Sequence, residues 1–307
     1  MKDSFKDRYP AYLPAVYQVG LLARKVYRQS LVRFQESKAK KQQIDPLLLD
    51  GKLELSSAVS NPLKGVINKC AYWYEEDLNR LEIKTVVDQM LALKQELSRR
   101  GLRFTNTAGN FLLREYHAET RRGKLWENAW VAHHAGLQSG QRVADIGGAS
   151  TFFSFYLASL GCDVTVIDND WANCGTLFNA NYVARKMGWK LRALDRDVDK
   201  PLPFSDNSLD RVFSICVLEH LPPLLRQKLM KEIGRVLKPG GIAGFTTDYD
   251  AARPVLVTDK GLRFAYREKL ERDVIDPSGL MLYGESCWAD ACSAESFLGA
   301  FFLHKPS

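Results

Sequence analysis

The sequence of 307 residues predicts an α/β fold, in which helices cover a mostly parallel sheet. The first observation is that short apolar runs of strand length recur from position 141 onward. The second is that segments with helical patterning lie between most of these runs, which is typical of right-handed βαβ units. The region before them has helical rather than strand patterning. We therefore expect an N-terminal helical extension at residues 1–104 and a sheet domain at residues 105–307.

Charge is distributed unevenly along the chain. The chain has 43 basic and 36 acidic residues, and residues 1–41 alone hold ten of the basic and three of the acidic ones. This N-terminal arm therefore accounts for the whole net charge of +7, and the rest of the chain is neutral. A hydrophobic content of 46% excludes a wholly disordered protein.

The cysteines indicate a reducing compartment. The six cysteines form no Cys-x-x-Cys pair, so we expect no disulfide framework, no metal site and a cytoplasmic location. The apolar part of the N-terminus is interrupted by Pro14 and Gln18, which argues against a signal peptide. The sequence has no run of about 20 apolar residues, the length needed to cross a bilayer.

The N-terminal arm, residues 1–41, has the pattern of an amphipathic basic helix. Its apolar stripe comprises Val16, Val19, Ala23, Val26, Tyr27, Leu31 and Phe34. Three roles are compatible with this pattern: packing on the protein's own body, peripheral contact with an anionic membrane, and binding of nucleic acid. Residues 42–66 are polar and rich in turn residues, so we expect a linker there.

Two further helices are expected before the first strand. The apolar face of one consists of Ile83, Val86, Met90, Leu93 and Leu97. Basic residues precede Gly101, as is typical at a helix C-terminus. An amphipathic segment rich in aromatic residues then runs roughly over residues 109–136. The expected strands that follow are Arg142–Ile146, Val164–Ile167, Leu191–Leu194, Arg211–Cys216, Ile242–Thr246 and Phe297–Leu303.

The turn after the first of these strands carries the main chemical signal. Asp145 precedes a run of small residues, Gly147, Gly148, Ala149 and Ser150. Small residues let the backbone approach a ligand, and the helix that follows offers free N–H groups. The run is neither a dinucleotide fingerprint nor a phosphate-binding loop. An acid at this point would repel a pyrophosphate and suits a ligand that bears an ammonium group.

A second acid follows at the tip of the next strand. Asp168 lies 21 residues after Gly147 and is followed by Asn169. A carboxylate at this place can accept hydrogen bonds from both hydroxyls of a ribose.

Five segments in this order resemble the class I S-adenosylmethionine-dependent methyltransferases, in the subgroup that acts mostly on small molecules and lipids. The segments are Asp145–Ser150, Asp168, Asp197-Val198, Cys216–Leu221 and Leu237–Gly241. The resemblance implies a Rossmann-like, doubly wound, mostly parallel sheet of seven strands. It also implies that S-adenosyl-L-methionine is the cofactor.

The resemblance assigns a role to each motif residue. Asp145 would lie near the methionine ammonium group, and Gly147 and Gly148 would admit the methionine part. Asp168 would hold the ribose, Asp197 and Val198 would border the adenine, and Cys216 and Val217 would line the floor near the sulfonium. Ala149, Ser150 and Asn169 are further candidate cofactor-binding residues.

The glycine turn departs from the usual family pattern. Ala149 and Thr151 stand at the second and third glycine positions of that pattern. We expect Ala149 to keep a negative φ and Gly148 to take the special backbone position instead.

The candidate catalytic residues lie after the fourth of the methyltransferase strands. His220 is the first candidate for a general base, because an imidazole of ordinary pKa can deprotonate a hydroxyl or an amine. The alternative is that His220 only shapes the pocket. Glu219 is a weaker candidate for the same role.

The substrate class is narrowed by motifs that the sequence lacks. The position after that strand has no Asn-Pro-Pro-aromatic or Asp-Pro-Pro-aromatic motif and no Pro-Cys nucleophile, so methylation of nucleobases is disfavoured. We expect methyl transfer to an oxygen, nitrogen or carbon atom of a small-molecule or lipid-like acceptor. Two alternatives stay open: an RNA methyltransferase that uses the basic arm, and a non-catalytic cofactor-binding partner subunit. The oligomeric state is not indicated.

Overall fold

The computed structural model describes residues 66–71, 75–104, 122–149, 151–169, 176–248, 270–288 and 298–307. The N-terminal arm and the expected linker up to residue 65 lie outside these residues. The strands are β1 (Val66–Ala71), β2 (Arg142–Ile146), β3 (Asp163–Asp168), β4 (Leu191–Asp195), β5 (Leu209–Ile215), β6 (Leu237–Asp248), β7 (Met281–Leu282), β8 (Glu285–Trp288) and β9 (Leu298–His304). The longer helices are α1 (Glu75–Asn79), α2 (Leu81–Arg99), α3 (Arg122–His134), α4 (Phe152–Ser159), α5 (Thr176–Met187) and α6 (Pro223–Val236). A π-helical turn, Glu271–Ile275, continues into one short α-helical turn, Asp276–Ser278.

The described strands form one mixed sheet with the order β4-β3-β2-β5-β6-β9-β1-β8, and β7 pairs with β9. All neighbours from β4 to β6 are parallel, and β9 runs antiparallel to β6. One buried hydrophobic cluster joins the sheet to α2, α3, α4 and α5, and a second joins it to α6 and the segment around residues 270–280. Helices therefore cover both faces, which confirms the doubly wound, mostly parallel sheet.

The sheet has nine strands in the described residues, whereas seven were expected. The difference arises at one edge, where β1 inserts between β9 and β8. The chain at residues 281–288 forms two short strands, β7 and β8, in place of one continuous strand along β9. Its first part, β7, pairs with β9, and after Gly284 the chain continues as β8, which pairs with β1.

The segment at residues 66–104 is not purely helical, which corrects the expected helical character of the N-terminal extension. Its strand β1 belongs to the sheet, and its helix α2 buries Ile83, Met90 and Leu97 in the core. The structure therefore packs these residues together with the sheet domain.

Helix α2 was predicted well. It ends at Arg99, and Gly101 takes a left-handed φ of +66°, as the glycine after the basic residues indicated. On its buried face Val87 takes the place expected of Val86, which is only partly buried.

Helix α3 was wrongly expected to be amphipathic. Every residue from 125 to 132 is buried. The reason is that α2 packs on one side of α3 while β6 and β9 pack on the other, so no face is left to solvent. In the described residues, no helix combines the length and the apolar character needed to cross a bilayer.

Candidate functional site

The candidate site lies at the carboxyl ends of β2, β3 and β5. From β2 the chain steps outward through β3 to β4 and then returns to β5 on the other side of β2. Ligands of open α/β sheets bind in the crevice at such a reversal of strand order. All the expected cofactor residues that the structure describes lie on loops or strand ends at this edge.

Asp145, at the end of β2, is enclosed by the turn that follows it. Its side chain is 1% exposed, Ser154 donates a hydrogen bond to its Oδ2, and Oδ1 has no hydrogen-bond partner among the described residues. A Cβ at Gly148 would lie 2.2 Å from Oδ2, so only glycine leaves room for the carboxylate. Burial raises the pKa of Asp145 to about 7, the Ser154 hydrogen bond opposes that rise, and the Asp168 charge adds to it.

Gly147, rather than Gly148, has the special backbone conformation. Its φ is +80°, and its N–H donates to the carbonyl of Ile167 on β3. A Cβ at Gly147 would lie 2.4 Å from Cγ2 of Val217, so the turn also packs directly against the loop after β5. Ala149 is buried and keeps a φ that alanine tolerates, as expected, whereas Ser150 lies outside the described residues.

Asn169 connects the two acids on the ribose and adenine sides. Its backbone N–H donates to Oδ1 of Asp168 at 2.7 Å, and its side-chain Nδ2 donates to Oδ1 of Asp197 at 3.3 Å. Val198 is partly buried against the second hydrophobic cluster. The structure therefore brings Asp168, Asn169, Asp197 and Val198 together beside the glycine turn.

Cys216 marks the end of β5, where the expected strand stops one residue early. It has a left-handed φ of +52°, which is unusual for a residue with a side chain. Its N–H is held by the carbonyl oxygen of Thr246 at 3.0 Å and by Oγ1 of the same residue at 3.1 Å. The backbone therefore turns sharply at Cys216 and directs Val217 onto Gly147.

The two candidate catalytic residues lie on a 3₁₀ turn, Leu218–His220. The Glu219 side chain is 2% exposed and the His220 side chain is 56% exposed, with 4.0 Å between His220 Nε2 and Glu219 Oε1. Arg226 on α6 stabilises this turn, because its guanidinium donates to the carbonyls of Leu218 and Leu221 and forms an ion pair with Asp273. The general-base role of His220 stays a prediction.

The sequence patterns missed two charged residues that belong to this region. Lys124 and Glu127 lie one turn apart on α3 and form an ion pair of 2.6 Å. Lys124 Nζ also lies 2.8 Å from Cys216 Sγ, and the thiol donates to Glu127 Oε1 at 2.6 Å. The sequence signal was a lone glutamate within the largely apolar segment 125–132, which indicates a buried carboxylate with a partner but does not identify that partner.

Comparison with known proteins agrees with this geometry. Residues 144–245 match the methyltransferase domain family. The chain is 33% identical over 119 residues to the sterol 24-C-methyltransferase of Pneumocystis carinii, with 37% of this chain and 29% of that protein covered. It is 36% identical over 118 residues to the sterol 24-C-methyltransferase ERG6B of Gibberella zeae, with 38% and 30% covered. The chain thus spans about 30% of the length of these curated relatives.

A solved structure shares the fold. The [4+2]-cyclase SpnF superposes with a TM-score of 0.52 at 18% identity, covering 74% of this chain and 97% of that one. At this identity the likeness concerns the fold alone. The family match, the sheet order and the motifs in register agree: residues 144–245 have the fold and the motifs typical of a class I S-adenosylmethionine-dependent methyltransferase domain.

Proposed function

We propose that this chain transfers a methyl group from S-adenosylmethionine to a small-molecule or lipid-like acceptor. The observation that carries the proposal is the Asp145 carboxylate, which is fully buried beneath the glycine turn with Oδ1 lacking a partner among the described residues. A buried carboxylate of this kind needs a compensating donor. The methionine ammonium group of the cofactor supplies one. Similarity to sterol 24-C-methyltransferases supports a lipid-like acceptor.

The other residues fit the remaining parts of the cofactor. The carboxylate of Asp168 is oriented by the Asn169 N–H and is placed to accept from the ribose hydroxyls. Asp197, which Asn169 also contacts, would accept from the adenine amino group. When bound, S-adenosylmethionine supplies a methyl group already activated by the sulfonium.

The chain's own contribution would then be positioning and exclusion of water. Methyl transfer is an in-line displacement, so correct alignment of the acceptor can supply much of the rate enhancement. Val217 packs against Gly147, so the loop after β5 and the glycine turn hold each other in place beside the site. His220, exposed on the neighbouring 3₁₀ turn, is the group proposed to take a proton from an acceptor that must lose one.

Binding of S-adenosylmethionine and of S-adenosylhomocysteine, its demethylated product, tests the proposal by isothermal titration. We expect both to bind, and Asp168→Ala to weaken both by at least about tenfold, because hydrogen bonds to a charged group are worth about 1.5–3 kcal/mol each. Asp163→Ala, at the opposite end of β3, is the matched control and should leave the affinity unchanged. No binding of either compound at millimolar concentration contradicts the proposal.

We further propose that the protein is cytoplasmic and that the N-terminal arm gives peripheral contact with anionic membranes. The support is the concentration of the net charge in residues 1–41 beside an apolar stripe. Sedimentation with vesicles of anionic phospholipid should carry the full chain down at low salt, and deletion of residues 1–41 should abolish this. Arm-dependent, salt-sensitive binding to RNA instead of vesicles would favour the nucleic-acid alternative.

A further inference from the structure

Val217 is the residue through which the loop after β5 touches the glycine turn. A Cβ at Gly147 would lie 2.4 Å from Cγ2 and 3.3 Å from Cγ1 of Val217, so the valine side chain packs directly on the glycine backbone. The Gly147 N–H in turn donates to the carbonyl of Ile167 at 2.8 Å. The position of Val217 therefore affects the backbone that is expected to meet the methionine part of the cofactor.

The loop is anchored on both sides of Val217. On the side of β5, the Cys216 N–H donates to the carbonyl oxygen and to Oγ1 of Thr246. On the other side, Nε of Arg226 donates to the carbonyl of Leu218 at 2.9 Å. The residues immediately before and after Val217 are thus both held by hydrogen bonds to other parts of the fold.

The Arg226 guanidinium is fully buried, and its three nitrogens have three different partners. Besides the Nε bond to Leu218, Nη2 donates to the carbonyl of Leu221 at 2.9 Å and Nη1 lies 3.1 Å from Oδ2 of Asp273. Burial lowers the pKa of Arg226 to about 10, and the charges of Asp273 and Glu219 oppose this, so the group is charged at neutral pH. A rigid planar guanidinium can serve acceptors in three directions, whereas a lysine ammonium on a flexible stem cannot reproduce this geometry.

We propose that Arg226 is a positioning residue of the cofactor site, which holds the loop after β5 so that Val217 stays packed against Gly147. The inference rests on the proposed function, because it concerns the affinity for S-adenosylmethionine and its product. A loop that already has its bound geometry spares the ligand the free-energy cost of ordering it. Loss of the Arg226 contacts should therefore lower the affinity even though the side chain acts through the loop.

The test compares Arg226 with a second arginine that also holds a loop by its backbone. Arg211, near the amino end of β5 and thus at the opposite edge of the sheet, donates through Nε and Nη2 to the carbonyls of Ala135 and Gly136. By isothermal titration, Arg226→Lys should weaken binding of S-adenosylhomocysteine about fivefold or more, whereas Arg211→Lys should change it less than about twofold. Thermal unfolding of both variants fixes a temperature at which both are folded during the titration.

A double-mutant cycle tests whether Arg226 acts through the loop. Val217→Ala removes the methyl groups that contact Gly147 and should by itself weaken the binding of S-adenosylhomocysteine. If both side chains act through the same contact, Arg226→Lys should change the affinity less than about twofold in the Val217→Ala background. A general loss of stability would give additive effects instead.

Each outcome decides the inference. Wild-type affinity in Arg226→Lys, an equal loss in Arg211→Lys, or additive effects in the cycle overturns it and leaves the proposed function standing. Should Arg226→Lys fail to fold, hydrogen exchange in the wild-type chain decides. S-adenosylhomocysteine should slow exchange of the Leu221 N–H, which donates to the same Leu218 carbonyl as Arg226, and unchanged exchange overturns the inference. Failure of the wild-type chain to bind either S-adenosylmethionine or S-adenosylhomocysteine overturns the proposed function itself.

Discussion

Asp145 is a carboxyl group whose ionisation the fold opposes. Its pKa is raised to about 7 from an ordinary value of 3.8, first by burial and then by the Asp168 charge. Between these two values the folded state binds more protons than the unfolded state, so this group's contribution to stability falls as pH rises through that window. An ammonium ligand needs the ionised form, so binding and folding place opposite demands on the same side chain.

We therefore predict that raising the pH increases the affinity for the ligand and decreases the stability contributed by Asp145. Affinity for S-adenosylhomocysteine should rise between pH 6 and pH 8, as Asp145 loses its proton. Asp145→Asn should bind more weakly and lose most of this pH dependence, yet unfold at a higher temperature than the wild type at pH 8. Titration calorimetry and thermal unfolding across this range measure both effects. An affinity that is flat with pH in the wild type contradicts the prediction, and Asp163→Asn serves as the control.

Three strands of the parallel part of the sheet were predicted closely, since β2, β3 and β4 were expected within one residue of their observed ends. β2 and β3 are central and have continuous apolar runs, whereas β4 lies at the sheet edge and alternates buried and exposed residues. Strand β1 was missed because its centre is Asn68 and Lys69, both buried. Their partners lie elsewhere in the chain: Lys69 pairs with Asp77, and Asn68 contacts the carbonyl of Tyr283, 215 residues later.

The residues of the candidate site also fall into those that the sequence predicted and those that it missed. Asp145, Gly148 and Asp168 follow one another in a local pattern, so the sequence could assign them. The contacts of Cys216 with Lys124 and Glu127 could not be predicted, since 92 and 89 residues of chain separate the partners. Such contacts depend on which strand ends and helices the fold places next to each other. Hydrophobic periodicity along the chain does not indicate this arrangement.

Asn68 is the residue that makes the divided edge of the sheet possible. Its Nδ2 lies 2.8 Å from the carbonyl oxygen of Tyr283 and 3.1 Å from that of Glu285, and its Oδ1 accepts the N–H of Phe302 at 2.7 Å. The side chain thereby replaces ladder hydrogen bonds where β7 ends and β1 begins to pair with β9. Without it, buried backbone groups at this fork would lack partners.

Asn68→Ala should therefore be strongly destabilising. The loss expected is about 2–4 kcal/mol in the free energy of unfolding, because several buried polar groups lose their partner at once. Urea denaturation measures it. The exposed Asn79→Ala on α1 is the matched control and should change stability by less than about 0.5 kcal/mol. Equal stability of the two variants would show that the fork does not depend on this side chain.

At the scale of the whole molecule, the boundary that composition suggests differs from the boundary that packing suggests. The charge changes at residue 41, whereas the core already includes residues from 66 onward. Trp130 Nε1 donates to the carbonyl of Ile67 at 2.9 Å, and Tyr156 donates to Gln89 Oε1 at 2.6 Å. These bonds tie β1 and α2 to α3 and α4, which lie beyond residue 105.

Two truncations distinguish these boundaries. Deletion of residues 1–41 should leave the thermal unfolding temperature and the affinity for S-adenosylhomocysteine essentially unchanged, because the neutral body keeps every contact described here. Deletion of residues 1–104 should abolish cooperative unfolding, since it strips β1 and α2 from the core and exposes the buried tryptophans of α3 to water. It would also remove Lys69, which lies 5.9 Å from the ring of Trp126 and 5.6 Å from that of Trp130. A chain of residues 105–307 that unfolds cooperatively and binds the ligand would instead establish the division at residue 104 as a true domain boundary.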